Sequence, residues 1–197
     1  MRRRLILLSA LAAIAAVLAG LATWQLRPRL EAGGGTGVAD IGGPFTLVDQ
    51  DGRTVTEQDF RGKFMLVYFG YTFCPDVCPT ELQSMVVAMD DLGADAEQVQ
   101  PIFVTVDPAR DTVAVIHDYV RAFSPTLVGL TGSDSQVRAA AKAWRVYFAK
   151  GKEAGGGAYL MDHSSFVYLM GPDGRYLTHF APRTPPEEMA KRIRGFL

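Results

Sequence analysis

The 197 residues suffice for one domain of ordinary size and a short appendage, and 48% hydrophobic with 21% charged residues is a globular rather than a disordered composition. The net charge of −1 hides an asymmetry: five of the twenty Lys and Arg (Arg2, Arg3, Arg4, Arg27, Arg29) precede the first acidic residue, Glu31, which leaves fifteen against twenty-one Asp and Glu, or −6, in the remainder. So acidic a body argues against nucleic acid as a partner, because phosphate binding needs a basic face.

Residues 1–4 form a cationic head, and Leu5–Leu26 carries no charge. At 1.5 Å per residue this stretch is long enough to cross a hydrocarbon core of about 30 Å. It exceeds the apolar region of about 7–15 residues usual in a cleaved signal. The expectation is a single transmembrane anchor over 5–26, with 1–4 in the cytoplasm by the positive-inside rule. The body then faces the periplasm from the inner membrane. Residues 27–43, glycine-rich from Glu31 onward, read as a flexible linker to a domain over 44–197.

Within that domain, Phe45–Asp49 and Arg53–Thr56 flank an Asp51-Gly52 turn and predict a small N-terminal hairpin. Lys63–Gly70 is a nearly continuous apolar run, the pattern of a strand buried on both faces. Thr80–Leu92 has helical spacing at Leu82, Met85, Val86 and Met89. Pro101–Val106 reads as a second buried strand, Thr112–Phe123 as a helix, Leu127–Leu130 as a short strand and Ser133–Phe148 as a helix. Phe166–Met170 and Tyr176–Phe180 flank a Gly171-Pro172-Asp173-Gly174 turn, and Pro185–Phe196 closes the chain as an amphipathic helix. Two βα units followed by ββα give an α/β, thioredoxin-like fold: a central mixed sheet with helices on both faces, behind one N-terminal transmembrane helix.

The only cysteines, Cys74 and Cys78, lie between the Lys63–Gly70 strand and the following helix. Groups at the carboxyl end of a strand in an open α/β sheet line the ligand crevice. A helix amino terminus favours thiolate, which is both nucleophile and metal ligand. In a helical segment the i, i+4 spacing places both sulfurs on one face, Cβ atoms about 5–6 Å apart. A modest adjustment permits a disulfide, so redox chemistry and metal binding both remain open.

Three histidines could supply a third ligand. His117, beside Asp118 in a helical pattern, reads as a solvated helix position, and His179 as structural. His163, in Met161-Asp162-His163-Ser164-Ser165 before a buried strand, occupies the loop that faces the cysteines in a thioredoxin-like fold. Two thiolates and one imidazole form a soft, three-coordinate set suited to Cu(I), and they underfill structural zinc. Met161 reads as core or a weak soft contact, and Asp162 as a group that could orient His163. Asp107, Arg110 and Asp111 read as a cap and ion-pair cluster at the next helix start.

Cys74-Pro75-Asp76-Val77-Cys78-Pro79, Val104-Thr105-Val106-Asp107-Pro108-Ala109-Arg110-Asp111-Thr112 and Asp162-His163-Ser164 together resemble the motifs of the SCO/SenC family, over about residues 41–197. Members of that family are thioredoxin-fold copper proteins of cytochrome c oxidase assembly. The resemblance implies copper ligation by Cys74, Cys78 and His163. It also implies delivery to the binuclear centre of oxidase subunit II, or reduction of that subunit's cysteines; a periplasmic copper donor is a further candidate partner, which the sequence does not identify. Phe73 stands where many members have His, at a position that is not a ligand.

Two readings follow. One is a metallochaperone that holds copper, as Cu(I) or Cu(II), and delivers it without turnover. The other is a membrane-anchored thiol–disulfide oxidoreductase with Cys74 attacking and Cys78 resolving. The CxxxC spacing and the absence of any proline between Pro125 and Pro172 weigh against the second. A peroxiredoxin is set aside, since Tyr71 and Val67 occupy the positions of that family's Thr and Pro.

Overall fold

The computed structural model describes residues 41–152 and 159–197, which belong to one compact unit, Asp40–Leu197. Among the described residues, nine strands and four α-helices follow in order: β1 (Thr46–Asp49), β2 (Thr54–Thr56), β3 (Phe64–Gly70), α1 (Val77–Leu92), β4 (Val99–Thr105), α2 (Val113–Phe123), β5 (Val128–Thr131), α3 (Asp134–Ala143), β6 (Phe148–Lys150), β7 (Met161–His163), β8 (Val167–Met170), β9 (Tyr176–Phe180) and α4 (Pro186–Arg194). The main sheet runs β2-β1-β5-β4-β3-β8-β9, and β6 and β7 form a separate two-stranded ribbon.

β3 is central, and all seven of its residues are buried. It pairs parallel with β4, Gly70 opposite Thr105, and antiparallel with β8, Tyr68 opposite Val167. Strand alternation then divides its side chains. Tyr68 stacks on Phe103, which meets Tyr119 of α2, so α1, α2 and α4 cover that face. Phe69 lies on the other face against Trp144 and Tyr168. The result is a mixed α/β, thioredoxin-like arrangement with helices on both faces.

The expected membrane-spanning helix needs correction. Among the described residues no helix is long and apolar enough to cross a membrane. The segment expected to do so, 5–26, lies outside them, as do 1–4 and the linker to residue 40. The fold class is therefore corrected to the α/β domain alone, and the inner-membrane, periplasm-facing placement built on the anchor is withdrawn with it.

Two local expectations also change. The helix expected over 133–148 ends at Ala143: Trp144 turns into the core, and Arg145 adopts a left-handed φ of 56°. The chain beyond it is strand β6, paired with β7 so that Phe148 faces His163. The cysteine helix starts at Val77, earlier than Thr80, and takes Cys78 into its first turn.

Gly70 ends β3 where the sheet meets the cysteine segment. A Cβ there would stand 2.9 Å from Cys78 Sγ, 2.9 Å from Tyr68 and 3.0 Å from Phe103. Gly70→Ala is therefore expected to cost about 1–3 kcal/mol through overpacking, read as a lower urea midpoint at unchanged slope.

Candidate metal centre

The register brings three segments to one edge of the sheet. β3 and β4 end there, at Gly70 and Thr105, and β8 begins there at Val167. The segment Tyr71–Asp76, the loop Val106–Thr112 and the approach His163–Phe166 thus converge.

Cys74 is half-buried in a turn, its N–H donating to the Tyr71 carbonyl at 3.3 Å. It precedes α1 rather than lying on it, so the shared helical face expected for the two sulfurs does not occur. Asp76 occupies the N-cap position yet makes no side-chain cap. Instead the Cys78 N–H donates to Cys74 Sγ at 3.4 Å, so a sulfur meets one of the open amides of the first turn. Burial pushes the Cys74 thiol up, but the N–H groups of Cys78, Asp76 and Val77 and the Cys78 thiol outweigh it and hold Cys74 below the usual thiol range. Cys78 is fully buried, and burial pushes its thiol up to about 12.

His163 closes β7. Its Nδ1 lies 2.9 Å from the Ser164 carbonyl, which can only accept, so Nδ1 carries the proton. Nε2 then presents a lone pair to Cys78 Sγ, 3.5 Å away. Tyr71 and Tyr68 meet the imidazole edge-on, with ring centres at 5.8 and 6.2 Å. Burial lowers the His163 pKa, against the opposing effects of the Ser164 bond and Asp162, and keeps the ring neutral at pH 7.

The segment is fastened from below by Asp111, which is fully buried. Its carboxylate accepts the Thr72 N–H at 3.1 Å, the Thr72 hydroxyl at 2.6 Å and the Thr105 hydroxyl at 2.5 Å. Burial raises its pKa, and these bonds act in the opposite direction. Asp107 pairs with Arg110 as an ion pair. The cap of α2, however, is Thr112, whose hydroxyl accepts the Val115 N–H at 3.4 Å.

The structure thus brings Cys74, Cys78 and His163 to one place. It assigns the orientation of His163 to the Ser164 carbonyl rather than to Asp162, which is exposed, and packs Met161 against the core. His117 pairs with Asp118 on the surface of α2, and His179 on β9 packs against Phe166 and Tyr176. Both cysteines are free thiols, which corrects the expected disulfide. Among the described residues no three Cys, His, Asp or Glu side chains are already gathered at metal-holding distances. The donors stand as a Cys78–His163 pair, with Cys74 joined through the Cys78 amide. Sequence patterning missed Tyr68, Tyr71 and the Asp111–Thr72 tie, because an apolar run with aromatic residues reads as core whatever it touches.

The sequence and the fold have counterparts. The family described as SCO1/SenC matches residues 33–197. The human protein SCO1 homolog, mitochondrial, is 41% identical over 155 residues, 78% of this chain and 52% of that protein. The chain spans about half the length of that curated relative. The crystal structure of Arabidopsis thaliana ScoI with copper bound is 40% identical with a TM-score of 0.74, covering 78% of this chain and 95% of that one. The structure of Bradyrhizobium japonicum ScoI with copper bound is 43% identical with a TM-score of 0.74, covering 80% and 99%.

The two thiols differ in both exposure and acidity, so their reactivity separates. At pH 8, iodoacetamide is expected to modify Cys74 first, with Cys78 at least about tenfold slower. Peptide mapping by mass spectrometry reads the order, and equal rates would show that burial does not distinguish the pair.

Proposed function

The chain belongs to the SCO1/SenC family, and from that membership we propose that it is a copper metallochaperone whose domain 44–197 holds copper through Cys74, Cys78 and His163. The observation that carries this reading is His163 itself: a neutral imidazole with its tautomer fixed by Ser164 and its free Nε2 lone pair 3.5 Å from Cys78 Sγ. An imidazole held so is a ligand in waiting. Two relatives of 40% and 43% identity that carry copper in their solved structures support the choice of metal.

The donor chemistry agrees. Two thiolates and an imidazole are soft, and three donors satisfy Cu(I) while leaving zinc a position short. Cys78 and His163 are already in contact, so closing the set requires the half-buried Cys74 side chain to turn inward. Its greater exposure and lowered pKa make it the thiol that meets the metal first. Cys78 surrenders its proton only when the metal replaces it, because burial otherwise holds that thiol neutral. Release reverses the order: the accessible Cys74 exchanges first with a partner's thiolate, and the buried pair follows.

The cargo's destination is proposed to be the binuclear copper centre of cytochrome c oxidase, on subunit II, during assembly. Family membership supports a role in assembly of the oxidase. Subunit II and a separate copper donor are the finer parts of the proposal.

An anaerobic Cu(I) titration of the reduced full chain against a competing chelator tests the reading. One equivalent is expected to bind tightly, and His163→Ala to weaken it by more than about 100-fold, beyond the roughly 10- to 100-fold usual for loss of a group that merely supports a ligand. Affinity unchanged in the variant would remove His163 from the site and end the three-donor reading.

A further inference from the structure

Cys74 and His163 sit on separate segments, and a site made of both needs something to set their spacing. Arg110 lies between them. Its Nε pairs with Asp107, and its Nη1 donates to the Tyr159 carbonyl at 2.9 Å. The guanidinium carbon stands 3.7 Å from the Tyr159 ring centre, 4.7 Å from that of Phe73 and 5.7 Å from that of Tyr71. Tyr71 and Phe73 belong to the segment that bears Cys74, and Tyr159 leads directly into β7, which ends at His163. Asp107 closes the assembly by accepting the Tyr159 hydroxyl at 2.9 Å.

We propose that Arg110 is a positioning residue, clamping the Cys74 segment to the β6–β7 ribbon so that Cys74 and His163 stand at the separation copper requires. The inference rests on the copper reading for its consequence but not for its geometry. Three features favour a clamp over a surface ion pair. First, the Arg110 side chain is only 25% exposed, and its Nη2 is buried without a hydrogen-bond partner. Burying a cation with an unmet donor is unfavourable, so stability alone does not explain the choice. Second, a flat guanidinium can stack on rings on either side while its edge forks to a carboxylate and a carbonyl; an ammonium cannot. Third, the partners come from both ligand-bearing segments and from its own loop. Asp111 already ties Thr72 to β4, so Arg110 extends the same support outward to the ribbon.

The test is a mutant cycle on the full chain. Cu(I) affinity is measured by chelator competition for Arg110→Gln and Arg110→Lys, each alone and combined with His163→Ala. Backbone hydrogen exchange is followed in the same metal-free proteins. Both Arg110 variants are expected to lose about 10-fold in affinity when His163 is present. They should lose less than about 2-fold when it is absent, since the spacing then no longer matters. Exchange should rise at 148–150 and 161–163 in both variants. Equal losses in the two backgrounds, no loss, or full rescue by Lys would overturn the clamp. The wild type and His163→Ala report separately on the copper reading. Should that reading fail, the metal-free exchange still decides: faster exchange in the ribbon supports the clamp, and unchanged exchange overturns it.

Discussion

The architecture turns on the mixed pairing of β3, parallel to β4 on one side and antiparallel to β8 on the other. Parallel strands share a carboxyl end, and an antiparallel neighbour offers its amino end at the same edge. The chain therefore leaves two strands and enters a third within one small region. A segment carrying two thiols, a loop carrying Asp107, Arg110 and Asp111, and an approach carrying His163 meet there without any of them being long. A fully parallel sheet would have sent the His163 segment to the opposite end.

Desolvation then separates the functions of three donors that sequence alone treats alike. Cys78 and His163 are drawn into the core edge, where burial disfavours charge: the thiol stays protonated and the imidazole stays neutral. Cys74 remains half outside, surrounded by amides of the helix start that favour its thiolate. The site is thus an accessible, more acidic sulfur beside a buried neutral pair. Such a gradient suits the proposed exchange of a soft cation, since one sulfur is open to an incoming ligand and the other two groups are buried.

Much of this was legible from residue patterns, and the misses have physical causes. The β3 and β4 runs, the closing hairpin and α4 were readable because their periods and turns are strong; Gly174 at φ 74° and Pro186 in the first turn of α4 are the expected punctuation. The α3 overrun came from Trp144-Arg145-Val146-Tyr147-Phe148, which contains no glycine or proline. What stops the helix is tertiary: Trp144 packs against Phe69 and Tyr168, and Arg145 takes up the left-handed turn. The β6–β7 ribbon escaped notice for a similar reason, being three residues a side. At the candidate site, Cys74, Cys78 and His163 could be named as candidates from the sequence, and the structure places them near one another, but their states were not legible. The tautomer depends on how the His163 ring turns onto the Ser164 carbonyl, the protonation states on burial, and the tie from Asp111 to Thr72 on a contact between residues 39 apart in the chain.

The distribution of unmet polar groups gives the last step. Among the described residues, five buried side-chain atoms have no hydrogen-bond partner: the Tyr68 hydroxyl, Glu81 Oε2, Arg110 Nη2, the Tyr119 hydroxyl and Trp144 Nε1. Trp144 lies on the opposite face of the sheet, and the other four belong to side chains near the cysteine end. Tyr68 lies beside Cys78, and the other Glu81 oxygen accepts the N–H of Arg183, a residue with φ 64°. Each such group is costly to bury, and a chain selected for stability alone would replace it with a hydrocarbon. Their concentration at one end is what a fold looks like when local stability is given up for a constellation of side chains. The apolar centre of the sheet, with β3 buried along its whole length, is what lets the domain tolerate that loss.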